Sequence, residues 1–233
     1  MFKAHDWGGI LFNFMRKIEE TLELIKTQIV PYNPKIVAVT KYFDENKIVE
    51  YYNAGIRDFG ENRVQDAIAK MEKLPEEILG NSKFHLIGHL QTNKAKYAVG
   101  RFDLIHSVDS LKLAEKIDEE AKKIGVVQKV LVQVNNANEE SKFGYSPECL
   151  KKEFEQILKL KSVKVEGIMN IAPLMEDSES LRVLFKKIKL LKDELESEFK
   201  VELNEISMGM SNDFRIALEE GATIIRLGRI LFE

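Results

Sequence analysis

Lys35-Ile36-Val37-Ala38-Val39-Thr40-Lys41 reads as an apolar strand that ends on a lysine. A charge has no place inside a parallel strand covered on both faces, so the Lys41 amine either reaches solvent or is set there for chemistry. Lysines commonly end strands for the first reason, and the stretch alone favours it. The rest of the chain shifts that balance, because this strand opens a regular alternation that continues to the last residues.

Upstream, Ile10, Leu11, Phe14, Ile18, Leu22, Ile25 and Ile29 recur at three- and four-residue spacing, which predicts a long amphipathic helix ended by Pro31 and Pro34. Downstream, strands are predicted at 36–40, 57–60, 83–88, 104–108, 129–134, within 163–171, at 202–208 and at 223–227. Helical stretches separate them: 46–54 stopped by Gly55, one running to about Leu74, 93–99, one from Leu111 to Gly125, one opened by the cap Ser146-Pro147, a long one through Leu181 and Leu195, and 212–220 before Gly221. About eight strand–helix pairs in series, with no linker or low-complexity break, predict a single domain over residues 1–233. Its class is α/β: a closed (β/α)8 TIM barrel with an extra N-terminal helix. An open doubly wound sheet is the alternative, and it would usually show a G-x-G-x-x-G turn after its first strand, which is missing.

Lysine and arginine number 35 against 38 acidic residues, a net charge of -3, so no basic footprint points to nucleic acid or an anionic membrane surface. The single cysteine, Cys149, excludes an internal disulfide and is expected to pack on a helix; it fits a reducing, cytoplasmic location. No apolar run is long enough to span a bilayer, and Gly8-Gly9-Ile10-Leu11-Phe12 is too short for a secretory core. Residues 1–14 read as an upstream extension, since Met15 is followed at once by the charged helical run Arg16-Lys17-Ile18-Glu19-Glu20.

In a barrel of this kind, chemistry gathers at the C-terminal ends of the strands, with phosphate commonly held by the loops after strands seven and eight. Those loops are Met208-Gly209-Met210-Ser211-Asn212-Asp213 and Arg226-Leu227-Gly228-Arg229. Gly209 and Gly228 admit an anion close to the backbone, Ser211 supplies a hydroxyl, and Arg226 or Arg229 supplies positive charge. The plain alternative is that Ser211 or Asn212 caps a helix and Gly228 makes a tight turn. Strand one adjoins strand eight in a closed barrel, so Lys41 would face these loops. An amine beside a phosphate cradle suits pyridoxal 5'-phosphate (PLP), the lysine forming a Schiff base and the loops holding the phosphate.

Ala38-Val39-Thr40-Lys41, Phe59-Gly60-Glu61-Asn62-Arg63-Val64-Gln65, His85-Leu86-Ile87-Gly88-His89-Leu90-Gln91-Thr92-Asn93-Lys94, Ser207-Met208-Gly209-Met210-Ser211-Asn212-Asp213 and Arg226-Leu227-Gly228 together resemble the pyridoxal phosphate homeostasis protein family, also called the YggS/PROSC or PLP-binding protein family. The resemblance runs from about residue 16 to the C-terminus. It implies a PLP barrel of fold-type III, similar to the N-terminal domain of alanine racemase. Carried over by position, it implies Lys41 as the Schiff-base lysine and Ser211 with the backbone around Gly228 and Arg229 at the phosphate. It likewise sets Arg226 at the pyridine nitrogen and Asn62 on the pocket wall. Many relatives carry threonine where Arg229 stands, which leaves the part of its side chain open, and the usual glycine-containing tail is missing after Leu231-Phe232-Glu233.

Two classes of function suit such a barrel: a non-catalytic holder of PLP in vitamin B6 homeostasis, and an amino-acid racemase or decarboxylase. An arginine at the pyridine nitrogen weakens the ring as an electron sink, and two-base racemisation needs a second acid/base opposite the lysine. Neither Tyr42 nor Tyr145, both on loops, is marked out for that part. The reading is therefore a cytoplasmic PLP carrier, monomer or weak dimer, with apo PLP-dependent enzymes as partners. A Schiff-base lyase on a TIM barrel, using a strand-end lysine and no cofactor, is a third class. A metal pair at His85 and His89 lacks a third ligand nearby. His85 is expected inside the fold, hydrogen-bonded. Gln91, Asn93 and Lys94 are candidates for the barrel mouth, Ser207, Met169 and Asn170 for the pocket wall. Asp109 is the expected cap of the helix near Leu111, and Lys186–Lys192 the solvated side of its helix.

Overall fold

The computed structural model describes the backbone of residues 7–136, 143–173 and 177–232, with side chains from 18 to 231 within those stretches. The strands are β1 (Lys35–Val39), β2 (Asp58–Glu61), β3 (Lys83–Leu86), β4 (Leu104–Val108), β5 (Gln128–Val134), β6 (Val163–Asn170), β7 (Glu205–Ser207) and β8 (Ile224–Leu227). They pair in parallel in chain order, and β1 closes the sheet on β8 with Val37 opposite Arg226. Helix α1 (Trp7–Ile29) precedes the barrel; α2 (Glu45–Asn53) follows β1, and α3 (Val64–Met71) with α4 (Glu76–Asn81) lies between β2 and β3. Next come α5 (Ala95–Ala98), α6 (Leu111–Ile124), α7 (Pro147–Leu158), α8 (Ser178–Phe199), α9 (Phe214–Glu219) and α10 (Arg229–Phe232), so the (β/α)8 architecture read from the alternation is the one present.

Local chemistry sets the helix limits. Ser110 Oγ accepts the Leu113 N–H at the start of α6, and Gly125 ends it in the left-handed region at φ 70°. Ser146 and Pro147 open α7 as expected. The shell between sheet and helices buries Ile48 and Tyr51 of α2, Ile117 of α6, Phe154 of α7 and Phe185 of α8, each worth roughly 1.5–3 kcal/mol of apolar burial. Ile18, Leu22, Ile25 and Ile29 of α1 join that shell; Ile10, Leu11 and Phe14 lie outside the described side chains.

A second apolar group, Val37, Leu104, Leu131, Met169 and Ile224, fills the inside of the barrel. That interior is partly polar: His85, His106, Ser207 and Arg226 are buried on its strands.

Several boundaries differ from the expected ones, each for an identifiable reason. Strand β1 ends at Val39 because the Thr40 carbonyl accepts the Phe43 N–H at 3.0 Å, closing a turn that carries Lys41 off the strand. Strand β7 is shorter because the Leu203 N–H goes to Glu196 Oε1 at 2.7 Å instead of a neighbouring strand. Helix α4 was not expected; six residues around the buried Ile78 are too few to show a helical period. Cys149 lies on α7 as expected, but on its exposed side. The cap of α6 is Ser110; Asp109 instead holds His89 Nδ1 at 3.0 Å.

Candidate functional site

At the C-terminal ends of the strands lie two adjoining cavities of about 380 Å³ and about 610 Å³, which share Val39, Lys41, Met210 and Arg226 in their walls. Asn62 borders the smaller; Ser211, Gly228 and Arg229 border the larger. All six residues singled out in the sequence thus converge on one double cavity.

Lys41 is half-buried, its Nζ 4.8 Å from the centroid of the exposed Tyr42 ring. No described carboxylate pairs with it. The segment carrying it is braced from below. Thr40 Oγ1 donates to Glu61 Oε1 at 2.6 Å, Lys70 Nζ donates to the same oxygen at 2.7 Å, and Lys70 Nζ also reaches the Thr40 carbonyl at 2.8 Å. Glu61 ends β2 and is 2 % exposed, so a charge is buried there only because Lys70 of α3 and Thr40 satisfy it. Thr40 and Lys70 were not candidates in the sequence, where nothing ties a lysine on α3 to the end of β1.

Ser211 is not the cap of α9. Its Oγ accepts the N–H groups of Gly228 and Ile230, both at 3.4 Å, so two backbone donors after β8 point toward one oxygen. Asp213 holds the N-terminal position of α9 and its carboxylate accepts the Met210 N–H at 2.5 Å. Ahead of both, Gly209 adopts φ 90°, and a Cβ there would stand 2.7 Å from the Ala217 Cβ, so the loop requires glycine. Gly228 does not: its φ is ordinary, and a Cβ would meet only Val39 Cβ at 3.6 Å. Arg229 is exposed and borders the larger cavity from its rim.

Arg226 is 3 % exposed. It donates to Ser207 Oγ at 2.7 Å and to the Asn170 carbonyl at 2.8 Å, leaving three of a guanidinium's five N–H bonds unspent. Burial pushes its pKa down to about 10, opposed by the Asp213 carboxylate, so it stays cationic at neutral pH. Burial in turn raises the Asp213 pKa. On the other wall Gly88 packs directly on Asn62, where an added Cβ would lie 2.3 Å from the Asn62 carbonyl oxygen.

The remaining candidates separate. His85 and His89 do not meet: His85 faces the barrel interior, whereas His89 stacks on Phe143 at 3.5 Å and borders the smaller cavity. Among the described residues no group of three or more metal-ligating side chains forms. Gln91, Asn93 and Lys94 do not line either cavity; Gln133, Asn135 and Phe143, which no motif marked, line the smaller one. Asn170 contributes its carbonyl to Arg226, and Met169 belongs to the interior apolar group. Lys186 and Lys187 are exposed on α8, beside Lys189 and Lys192, which pair with Asp193 and Glu196.

Residues 15–233 match the family described as the alanine racemase N-terminal domain. The pyridoxal phosphate homeostasis protein of Aquifex aeolicus (strain VF5) is 47% identical over 198 residues, covering 85% of this chain and 86% of that one. The protein of the same name from Synechocystis sp. is 40% identical over 210 residues, 90% of this chain and 94% of that one. Among solved structures, PipY of Synechococcus elongatus PCC7942 with PLP bound superposes with a TM-score of 0.85 at 40% identity, covering 93% of this chain and 100% of that chain. Alanine racemase of Clostridium difficile 630 shares the fold, with a TM-score of 0.76 at 18% identity, over 93% of this chain and 56% of that one.

Proposed function

Because this chain belongs to the pyridoxal phosphate homeostasis protein family, we propose that it holds PLP as a Schiff base on Lys41 and serves vitamin B6 homeostasis without a turnover reaction of its own. The observation that carries the reading is that the Lys41 amine and the Ser211–Gly228 donors border one cavity, at the seam between β1 and β8. The donor set suits the ligand. Two backbone N–H groups, a hydroxyl and the rim cation Arg229 would hold a phosphate, and Lys41 would take the aldehyde. Arg226 would meet the ring nitrogen with its remaining N–H bonds.

The cofactor supplies an aldehyde for amines and a ring that withdraws electrons. Arg226 has no acidic proton to give the ring nitrogen at neutral pH, and this favours storage over carbanion chemistry. Tyr145, one conceivable second acid/base, donates its hydroxyl to Glu153 at 2.8 Å, is buried, and lines neither cavity. The carrier reading includes a cytoplasmic location and delivery to apo PLP-dependent enzymes; no described helix is long and apolar enough to cross a membrane.

Borohydride reduction of the PLP-loaded protein, followed by peptide mass mapping, tests the reading. The expected result is a pyridoxyl adduct confined to the peptide containing Lys41. An adduct elsewhere, or none, overturns it. Incubation with L-amino acids in deuterated solvent tests the second half: sustained α-deuteration with optical inversion would make the protein a racemase.

A further inference from the structure

Inside the barrel a continuous line of hydrogen bonds joins its two ends. Arg226 donates to Ser207 Oγ at 2.7 Å, Ser207 Oγ lies 3.0 Å from His106 Nδ1, His106 Nε2 lies 2.9 Å from His85 Nδ1, and His85 Nε2 lies 2.9 Å from Asp58 Oδ1. These five residues come from β8, β7, β4, β3 and β2. His106 and Ser207 are completely buried and His85 nearly so.

With both imidazoles neutral, the chemistry of the two ends fixes the direction of every bond between them. A guanidinium can only donate and a carboxylate can only accept. Ser207 therefore receives from Arg226 and gives its own proton to His106 Nδ1. This leaves His106 protonated on Nε2, donating to His85 Nδ1, and His85 protonated on Nε2, donating to Asp58. Each group is satisfied with both imidazoles neutral, whereas an excess proton on His85 would reverse the bonds at His106 and turn the Ser207 hydroxyl hydrogen away from it. Desolvation by burial, reinforced by the Arg226 guanidinium and the Lys35 ammonium, holds the His106 pKa well below the usual imidazole value, in keeping with a neutral ring.

Asp58 stands at the opposite end of the barrel from Lys41. There it borders a separate cavity of about 680 Å³, beside His85, Lys35, Lys83, Asp103 and Glu205. In that ring Lys35 pairs with Glu205 and Lys83 with Asp103, leaving the Asp58 carboxylate to His85.

We propose that Asp58, His85, His106 and Ser207 are positioning residues that hold Arg226 in place and carry the charge of Asp58 through the barrel to the guanidinium at the upper cavity. Hydrogen bonds in series polarise one another in a medium of low dielectric, so the carboxylate is felt at Arg226 more strongly than its distance alone allows. The inference rests on the PLP reading for its spectroscopic readout, but the string itself exists without cofactor.

The test uses the full chain with D58N, S207A and the double variant. D58N retains an oxygen that accepts from His85 and removes only the charge; S207A breaks the middle link and keeps the charge. In the PLP-loaded protein, the pH midpoint of the Schiff-base absorption band should fall by roughly 0.5–1 unit in D58N, because loss of a negative charge disfavours the protonated imine. In the S207A background the same substitution should shift it by less than half as much. Equal shifts in both backgrounds, or no shift in D58N, overturn the string. In the cofactor-free protein, ¹⁵N imidazole spectra should show His85 and His106 both as Nε2–H tautomers, with the His106 Nδ1 resonance displaced in D58N. Any other tautomer overturns the proposal. If Lys41 takes no pyridoxyl label, the functional reading fails, and these spectra alone decide the string.

Discussion

Lys70 Nζ lies 2.7 Å from Glu61 Oε1, closing a buried ion pair directly beneath the turn that presents Lys41. Removing Lys70 leaves the buried Glu61 carboxylate with only the neutral Thr40 hydroxyl to meet its charge. K70M should therefore destabilise the protein by about 3 kcal/mol in urea unfolding and weaken PLP retention with it. Adding E61Q to K70M should recover more than half of the lost stability, since both charges are then gone. A double variant no more stable than the single one would show that the pair matters only through its shape.

The Ser211 hydroxyl is met by two N–H groups at 3.4 Å, long bonds that contribute little without an anion. S211A should unfold within about 0.5 kcal/mol of the parent. Its PLP affinity, followed by equilibrium dialysis, should fall roughly tenfold or more, the worth of a hydrogen bond to a charged group. Unchanged affinity would remove Ser211 from the phosphate cradle.

His106 makes stability depend on pH. Its pKa is depressed in the folded protein, so below the ordinary value near 6.5 the unfolded chain binds a proton that the folded one refuses. Stability is therefore full above that value and declines as the pH falls, by at most about 1.4 kcal/mol per unit for this group. In H106Q that slope should lose one proton's contribution between pH 6.5 and 5, read from urea unfolding at each pH.

Two glycines give opposite outcomes. G88A drives a methyl group to 2.3 Å from the Asn62 carbonyl oxygen, backbone against backbone, and should lower stability by roughly 1–3 kcal/mol while displacing Asn62 from the cavity wall. Gly80 is exposed in α4 with nothing within 4 Å of an added Cβ, and G80A should raise stability by roughly 0.5–1 kcal/mol through helix propensity. Thermal melts of the two variants check both signs.

The barrel was legible in the sequence because each strand is a short apolar run and each helix has a periodic face, as with Ile117 and Ala121 of α6. Ser211, Gly228 and Arg229 of the larger cavity stood out because the loops after the last two strands carry glycine, serine and arginine together, whereas Gln133, Asn135 and Phe143 of the smaller one belong to no motif. What stayed hidden depends on closure. The bonds from Lys70 to Glu61 and from His106 to His85 and Ser207 join strands and helices far apart in the chain, and no local pattern announces which buried polar groups will meet. Asp109 and Ser110 show the smaller failure: either is a good cap, and only the contact with His89 decides which of them serves.

Since the seam of the barrel joins its first strand to its last, the amine and the cradle are made at opposite times. A ribosome adding roughly 5–20 residues per second exposes Lys41 tens of seconds before Ser211 and Gly228 emerge. On the proposed function, a nascent chain that met the aldehyde at Lys41 would have no hold on its phosphate, so loading would wait for Gly228 to emerge.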